Sequence, residues 1–194
     1  MSIQGILLAA GSASRFGSDK LMHGLVGGTP VALASARTLA AALPGSLAVV
    51  RSERSALAGL LRDAGLRIVE CTDASEGMGR SLAAGVRASR EASGWVVALA
   101  DMPFVRCETI RLIAARLSAG DALAAPFLEG VRGNPVGLGA AFRDRLEALR
   151  GDAGARALLR EHEARIAHIE VSDPGVLRDI DTPQDLPGGQ HGEG

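Results

Sequence analysis

Ile6-Leu-Leu-Ala-Ala-Gly-Ser-Ala-Ser-Arg-Phe-Gly-Ser-Asp-Lys20 is an apolar run that ends at a glycine and passes into a loop of small residues with two cations. The three residues at its start suit a strand that is buried on both faces of a parallel sheet. Residues 11–14 let the backbone approach a ligand without an intervening side chain. Arg15 and Lys20 add a guanidinium fork and an ammonium, which suit different oxygens of a polyphosphate. The stretch therefore predicts a strand followed by a phosphate-binding loop.

Two common phosphate-binding signatures do not match this loop. The dinucleotide fingerprint requires glycine at its first, third and sixth positions, where the chain has Gly11, Ala13 and Phe16. The P-loop requires a glycine at position 16 followed by Lys and Ser or Thr, but Phe16 is followed by Gly17 and Ser18. An ordinary surface loop between a strand and a helix is the alternative interpretation.

Length and composition predict one soluble domain. The chain has 194 residues, of which 47% are hydrophobic and 22% are charged, and its formal net charge is −1. This charge favours neither nucleic acid nor a membrane surface as a partner. Asp101, Pro103 and Arg106 interrupt the most apolar segment, which is too short to span a bilayer. We expect a single domain over residues 1–186 and a disordered tail over residues 187–194, where apolar side chains are lacking.

The cysteine content indicates a reducing compartment. Cys71 and Cys107 form no Cys-x-x-Cys motif and have no clustered histidine, and the N-terminus has no secretory apolar region. We expect both to be reduced packing residues in a cytoplasmic protein.

Strand and helix patterns alternate along the chain. The predicted strands are 6–8, 46–51, 66–70, 95–100, 122–127 and 165–171, and the predicted helices are 31–43, 55–64, 81–89, 108–117, 142–149 and 155–162. This alternation predicts an α/β fold, a three-layer sandwich with a mostly parallel, Rossmann-like central sheet. Ligands bind such sheets at the carboxyl ends of the strands, where the loops after Leu8 and Ala100 lie.

Two acidic positions are candidate ligands for a hard cation. Asp101 ends a buried strand at the same edge as the predicted phosphate loop, although it would also suit a helix N-cap. Asp179 and Asp181 flank an apolar residue in an extended segment, so alternation places both on one face. Either would complete a metal site if the segment returns to the sheet edge. Otherwise Asp181 caps a short turn that begins at Pro183.

Three glycine-rich stretches remain. Residues 76–82 place two glycines and Ser81 before a helix, where backbone groups and a hydroxyl would suit the edge of a base; Ser81 as a helix cap is the alternative. Residues 132–137 and 151–156 combine glycines with cations and polar side chains, and each would also suit an ordinary turn.

Taken together, these stretches resemble the MobA-like nucleotidyltransferase family, and most closely its molybdenum cofactor cytidylyltransferase branch. The resemblance covers nearly the whole chain and implies a fold like that of nucleotide-diphospho-sugar transferases. Ala9-Ala10-Gly11 is similar to the cytidylyl type, since the guanylyl type usually has Leu-Ala-Gly-Gly there. The matching stretches are Leu8 to Gly17 with Lys20-Leu-Met, Gly77-Met-Gly-Arg-Ser-Leu, Leu99-Ala-Asp-Met-Pro, Gly133-Asn-Pro-Val, Gly151-Asp-Ala-Gly-Ala-Arg and Asp179-Ile-Asp-Thr-Pro-Gln-Asp-Leu.

The resemblance also implies roles for individual residues. The implied nucleotide site consists of Leu8, Ala9, Ala10, Gly11, Arg15, Lys20, Gly79, Ser81 and Asp101. Within it, Arg15, Lys20 and Asp101 would act in catalysis. Mg²⁺ would bind to Asp101 and Asp181. The acceptor would contact Asn134, Asp152 and Arg156, with Asn134 standing where the branch often has histidine.

The implied reaction joins CMP from CTP to the terminal phosphate of molybdenum-bound molybdopterin and releases pyrophosphate. A molybdoenzyme or its chaperone would receive the product. Four alternatives stay open: guanylyl transfer, a different phosphorylated acceptor, a chaperone that binds the pterin cofactor without turnover, and a redox enzyme on the same fold. The absent dinucleotide fingerprint argues against the last of these.

Overall fold

The computed structural model describes residues 2–11, 20–152, 154–182 and 185. Its strands are β1 Ile3–Leu8, β2 Leu47–Val50, β3 Arg67–Glu70, β4 Gly94–Leu99, β5 Leu123–Leu128, β6 Val131–Arg132, β7 Val136–Gly139 and β8 Ile166–Glu170. Its α-helices are α1 Val31–Ala42, α2 Ala56–Asp63, α3 Met78–Arg87, α4 Cys107–Ser118, α5 Arg143–Glu147 and α6 Arg156–Glu161. Short 3-10 turns cover Lys20–Met22, Ala74–Glu76, Ala140–Phe142, Glu163–Arg165 and Pro174–Leu177.

These strands form one mixed sheet in the order β3-β2-β1-β4-β7-β5-β6, with β8 also paired to β5. The pairs β1–β2, β1–β4, β2–β3 and β5–β8 are parallel, because helices or longer connections separate the two strands of each pair. The pairs β4–β7, β5–β6 and β5–β7 are antiparallel. The predicted α/β fold with a mostly parallel sheet is therefore confirmed.

Helices cover both faces of this sheet, which gives the three predicted layers. Alternate side chains of β1 point to opposite faces: Leu7 packs in a core with α1, α2 and α4, whereas Ile6 packs in a core with α3, α5 and α6. Both side chains are fully buried. Because helices cover both faces, we expect ligands at the loops that follow the carboxyl ends of the strands.

The glycine-rich stretch 132–137 is more than the ordinary turn that its sequence would suit, because it runs from β6 into β7, and both of these strands pair with β5. A two-residue strand and a strand with two glycines show little of the β-branched pattern that reveals strands in a sequence. Both glycines of β7 lie where neighbours leave no room for a side chain. A Cβ at Gly137 would lie 2.8 Å from Ile113 Cγ2, and one at Gly139 would lie 2.9 Å from the Ala122 carbonyl oxygen.

Two helices begin at places that exclude a capping role considered above. α3 begins at Met78 after Gly77, whose φ of +114° favours glycine, so Ser81 is a buried residue within the helix and not its cap. α4 begins at Cys107 after the N-cap Arg106, so Asp101 lies too far upstream to cap it.

None of the helices in the described ranges combines the length and the apolar character needed to cross a membrane.

Candidate active site

The carboxyl ends of β1 and β4 lie side by side and place two predicted site segments at one edge. Leu8 pairs with Leu99 in parallel register, and the Ala100 amide donates to the Leu8 carbonyl at 3.1 Å. Beyond the strands, Ala9 and Ala10 are buried and Gly11 is exposed. Gly11 therefore marks the point where the backbone becomes accessible to a ligand. Arg15 and the rest of the predicted phosphate loop up to residue 19 lie outside the described residues.

Arg51 supports this backbone and was not singled out from the sequence. It follows β2, the strand beside β1, and its Nε donates to the Ala10 carbonyl at 2.8 Å. The Ala9 amide donates to the Val49 carbonyl at 2.9 Å. The sequence signal for this contact is a cation, Arg51, directly after the strand next to β1.

Lys20 joins the two predicted metal carboxylates. Its Nζ lies 2.9 Å from Asp101 Oδ2 and 2.9 Å from Asp181 Oδ1. The Lys20 side chain is 14% exposed, and those of Asp101 and Asp181 are 24% and 49% exposed. Burial lowers the pKa of Lys20, but hydrogen bonds and charges from Asp181 and Asp101 outweigh it and raise the pKa above its ordinary value. The ammonium therefore stays charged between the carboxylates at neutral pH.

The C-terminal segment does return to the sheet edge. The Ile180 amide donates to the Asp101 carbonyl at 2.9 Å, and the Ile180 side chain is fully buried. This contact brings Asp181 to Lys20, while Asp179 on the other side of Ile180 is exposed. Of the two carboxylates considered from the sequence, it is Asp181 that lies beside Asp101.

Asp185 holds the backbone around Asp181. Its Oδ2 accepts from the Asp181 amide at 3.0 Å, the Thr182 amide at 2.7 Å and the Thr182 hydroxyl at 2.9 Å. The bonds from the Thr182 amide and hydroxyl, and then that from the Asp181 amide, hold the pKa of Asp185 below its usual range. Pro183, with which the alternative turn would begin, lies outside the described residues.

The residues present fit a divalent cation that is shared with a substrate. Across the described ranges, no group of three or more His, Cys, Asp or Glu side chains is arranged to hold a metal by itself. Mg²⁺, however, usually takes one or two carboxylates and completes its shell with water and substrate phosphates. Asp101 and Asp181 are such a pair, and the Lys20 ammonium between them shows that the pair attracts a cation.

The predicted base-binding stretch contacts the Gly151 loop. The Gly79 amide donates to the Gly151 carbonyl at 2.8 Å, and a Cβ at Gly79 would lie 2.9 Å from the carbonyl oxygens of Gly151 and Arg150. A Cβ at Gly77 would overlap the Gly151 backbone. Two stretches more than 70 residues apart in the sequence, around Gly79 and Asp152, thus form one surface.

Ser81 lies one helical turn inside α3 and is buried. It is 4% exposed, and so is Cys71, which follows β3. Burial and the charge of Asp73 raise the pKa of the Cys71 thiol, which stays protonated at neutral pH.

The three predicted acceptor residues occupy two places. Asn134 lies between β6 and β7, where its backbone N–H donates to the Val176 carbonyl at 2.9 Å. It lines a small cavity together with Leu99 and Met102. Asp152 is exposed beside the start of α3, and Arg156 is exposed at the start of α6. We call these two places the flanks of the site: Asn134 lies beside Val176, and Asp152 and Arg156 lie near the starts of α3 and α6.

A family model described as "MobA-like NTP transferase domain" matches residues 5–166, which is most of the chain. The chain belongs to this family. The resemblance to the MobA-like family is therefore confirmed, and membership places the protein among nucleotidyltransferases. The matched segment contains Lys20 and Asp101, but ends before Asp181.

Curated relatives of this MobA-like chain carry different names. It is 31% identical over 193 residues to the purine catabolism protein PucB of Bacillus subtilis strain 168, covering 93% of this chain and 92% of PucB. It is 30% identical over 192 residues to the nicotine blue oxidoreductase of Paenarthrobacter nicotinovorans, covering 95% and 94%.

A solved relative shows the same architecture. The structure of Rv0371c from Mycobacterium tuberculosis H37Rv matches with a TM-score of 0.76 at 25% identity, over 95% of this chain and 94% of that chain. A structure described as the manganese complex of that protein matches with a TM-score of 0.73 at 24% identity, over 95% and 96%.

Proposed function

We propose that this protein transfers CMP from CTP to the terminal phosphate of molybdenum-bound molybdopterin, which releases pyrophosphate and forms the cytosine dinucleotide cofactor. The observation that carries the proposal is the cluster of Lys20, Asp101 and Asp181 beside the Ala9–Gly11 backbone. An anion-binding cation and two carboxylates at a strand edge suit a metal-assisted reaction of a nucleoside triphosphate. Membership of the MobA-like family supports the same reaction class.

The proposed chemistry is a single in-line displacement. An oxygen of the acceptor phosphate forms a bond to the α-phosphorus of CTP, and the bond from that phosphorus to the bridging oxygen of the β-phosphate breaks. Pyrophosphate leaves with the electron pair of the broken bond. The attacking oxygen is already anionic, so the protein has to align two anions and stabilise the developing charge. A histidine or serine nucleophile is not needed.

Different side chains of the protein would bind the metal and the phosphates. Asp101 and Asp181 would hold Mg²⁺, which supplies charge neutralisation at the phosphates when it is bound. Lys20, with Arg15 from the phosphate loop, would neutralise phosphate oxygens. Because Lys20 already spans both carboxylates, a cation that joins them would free its ammonium to face the nucleotide.

Substrate selection would come from the two flanks. We propose that the backbone from Leu8 to Gly11, with Gly79 and Ser81, contacts the nucleoside. Ala9-Ala10-Gly11 supports CTP over GTP through its similarity to the cytidylyl type.

The proposed acceptor contacts are Asn134 on one flank and Asp152 and Arg156 on the other. A molybdoenzyme or its chaperone in the cytoplasm would receive the product, with neither nucleic acid nor membrane as a partner.

An oxidoreductase is the second candidate, because a relative with 30% identity carries that name. The chain has no dinucleotide fingerprint at its first strand, which argues against a nicotinamide dinucleotide bound in the usual way. Incubation with NADH or NADPH separates the two candidates, since only the oxidoreductase would bind or oxidise them.

The experiment that tests the proposal measures pyrophosphate release with CTP or GTP, Mg²⁺ and the molybdenum–molybdopterin cofactor, against a control without the cofactor. We expect pyrophosphate release to depend on the acceptor. Release with CTP should be well above release with GTP. Faster release with GTP would favour the guanylyl alternative. No release with either nucleotide, in folded protein, would favour another phosphorylated acceptor or a binding chaperone.

A further inference from the structure

The chain between β8 and Asp181 carries a buried carboxylate that the proposed chemistry does not use. The Asp173 side chain is 3% exposed. Its Oδ2 accepts from the Arg106 amide at 2.9 Å and from the Thr109 hydroxyl at 2.6 Å, and its Oδ1 accepts from the Gly175 amide at 3.1 Å. A buried carboxylate is costly unless donors compensate for its lost hydration, and here donors from two segments do so.

These donors join the C-terminal segment to the start of α4. Arg106 is the N-cap residue of α4 and Thr109 lies in its first turn. Amides at a helix start have no partner within the helix, so a carboxylate from elsewhere in the chain can satisfy one of them. Asp173 thereby fixes residues 173–181, which we call the strap, at one end.

The strap then contacts the loop that carries Asp101. A Cβ built on Gly175 would overlap the Phe104 carbonyl, so only glycine allows this approach. The Arg178 guanidinium lies 4.2 Å from the centroid of the Phe104 ring. At the far end, the Ile180 amide donates to the Asp101 carbonyl at 2.9 Å, which leaves Asp181 beside Lys20.

The strap also contacts the loop between β6 and β7. The Val176 carbonyl accepts from the Asn134 amide at 2.9 Å, and a Cβ at Gly133 would lie 2.5 Å from the same carbonyl oxygen. One segment therefore holds both the Asp101 loop and the loop that carries a proposed acceptor residue.

We infer that Asp173 is a positioning residue for the carboxylate pair: by anchoring the strap to α4, it sets where Asp181 stands relative to Asp101. The inference rests on the proposed function, because the pair matters only if it holds the cation of that reaction. Asp173 itself touches none of the reacting groups and acts through the strap. Residues that orient metal ligands in this way typically account for about 10-fold to 100-fold in metal affinity or activity.

The test compares Asp173→Asn with Thr109→Val, which removes one of its donors, and with Thr109→Ser, which keeps the hydroxyl. Ser89→Ala is the matched control. Ser89 is also buried and hydrogen-bonded, to Trp95 and Gly85, but its contacts lie at the other end of α3 and β4. For each protein we would measure the melting temperature, the Kd for Mn²⁺ alone by electron paramagnetic resonance, and hydrogen exchange of the Ile180 amide.

We expect Asp173→Asn to weaken Mn²⁺ binding about 10-fold or more and to accelerate exchange at Ile180. Thr109→Val should also weaken Mn²⁺ binding and accelerate Ile180 exchange, by a smaller factor. Thr109→Ser should restore both to the wild-type values. Ser89→Ala should lower the melting temperature but leave both unchanged. If Asp173→Asn does not fold, Thr109→Val decides the outcome.

Wild-type Mn²⁺ affinity and Ile180 exchange in folded Asp173→Asn would overturn the inference. Equal weakening in Ser89→Ala would overturn it as well, because the effect would then be a general loss of stability. Failure of the proposed function is seen separately, as a wild-type protein that binds Mn²⁺ and protects Ile180 but releases no pyrophosphate.

Discussion

The Lys20 ion pairs give a prediction that needs no substrate. Lys20→Met keeps a stem of similar length and removes the ammonium between Asp101 and Asp181. Fully exposed ion pairs contribute about 0–1 kcal/mol, whereas removing one partner of a buried pair costs about 3–5 kcal/mol. Lys20 is largely buried and its partners are 24% and 49% exposed, so we expect an intermediate loss of about 2 kcal/mol. For a chain of this length, this lowers the melting temperature by about 4–8 °C.

The assay is thermal unfolding at pH 7.5 in buffer with a chelator, with Arg90→Met as the control. Arg90 makes two hydrogen bonds to Glu147 but is 63% exposed, so its loss should cost less than about 1 kcal/mol. A melting temperature for Lys20→Met equal to that of the wild type, or a drop no larger than that of Arg90→Met, would show that the Lys20 ion pairs do not stabilise the fold to this extent.

The stability difference between the wild type and Lys20→Met should depend on pH with a definite sign. Lys20 has a raised pKa in the folded protein, so the folded state holds its proton more tightly than the unfolded chain does. The stabilisation is fully present below the unfolded pKa, about 10.4, and is lost as the pH rises through the higher folded pKa. The gap between the wild type and Lys20→Met should therefore stay constant from pH 7 to about pH 10 and shrink above it.

Three further predictions concern single residues. Asp101→Ala should keep its circular dichroism spectrum but lose about 100-fold or more in kcat, and near-normal turnover with saturating Mg²⁺ would remove Asp101 from the site. Gly175→Ala should lower the free energy of unfolding in urea by about 1–3 kcal/mol, because its Cβ would overlap the Phe104 carbonyl. Gly59→Ala lies in open space on α2 and should raise that free energy by about 0.5–1 kcal/mol. Equal effects of the two substitutions would contradict this prediction. Cys71 should react with iodoacetamide at pH 8 at least about 10-fold more slowly in native protein than in urea, because burial raises its pKa; equal rates by peptide mass spectrometry would contradict this.

The fold was predictable because its signals are local. The apolar run at Ile6 and the regular alternation of strands with helices reflect side chains that pack against the sheet directly beside them. The local pattern does not reveal β6 and β7, because β6 has only two residues and the β7 glycines, Gly137 and Gly139, are selected by close neighbours.

Long-range contacts limited what could be predicted about the site. The sequence indicated Lys20 and Asp101 separately, as a phosphate ligand and a metal ligand. Their contact spans 81 residues, and that of Lys20 with Asp181 spans 161. The return of the C-terminal segment depends on Asp173, but an aspartate followed by a proline indicates only a turn in a sequence.

We propose that the protein transfers a nucleoside monophosphate, and the fate of labelled phosphate distinguishes this reaction from the alternatives. CTP labelled at the α-phosphate or at the γ-phosphate would be incubated with the protein, Mg²⁺ and the molybdenum–molybdopterin cofactor. We predict that the α-label enters the dinucleotide product and the γ-label enters pyrophosphate. A γ-label that enters the acceptor, or neither label moving while a nicotinamide cofactor is oxidised, would contradict the claim.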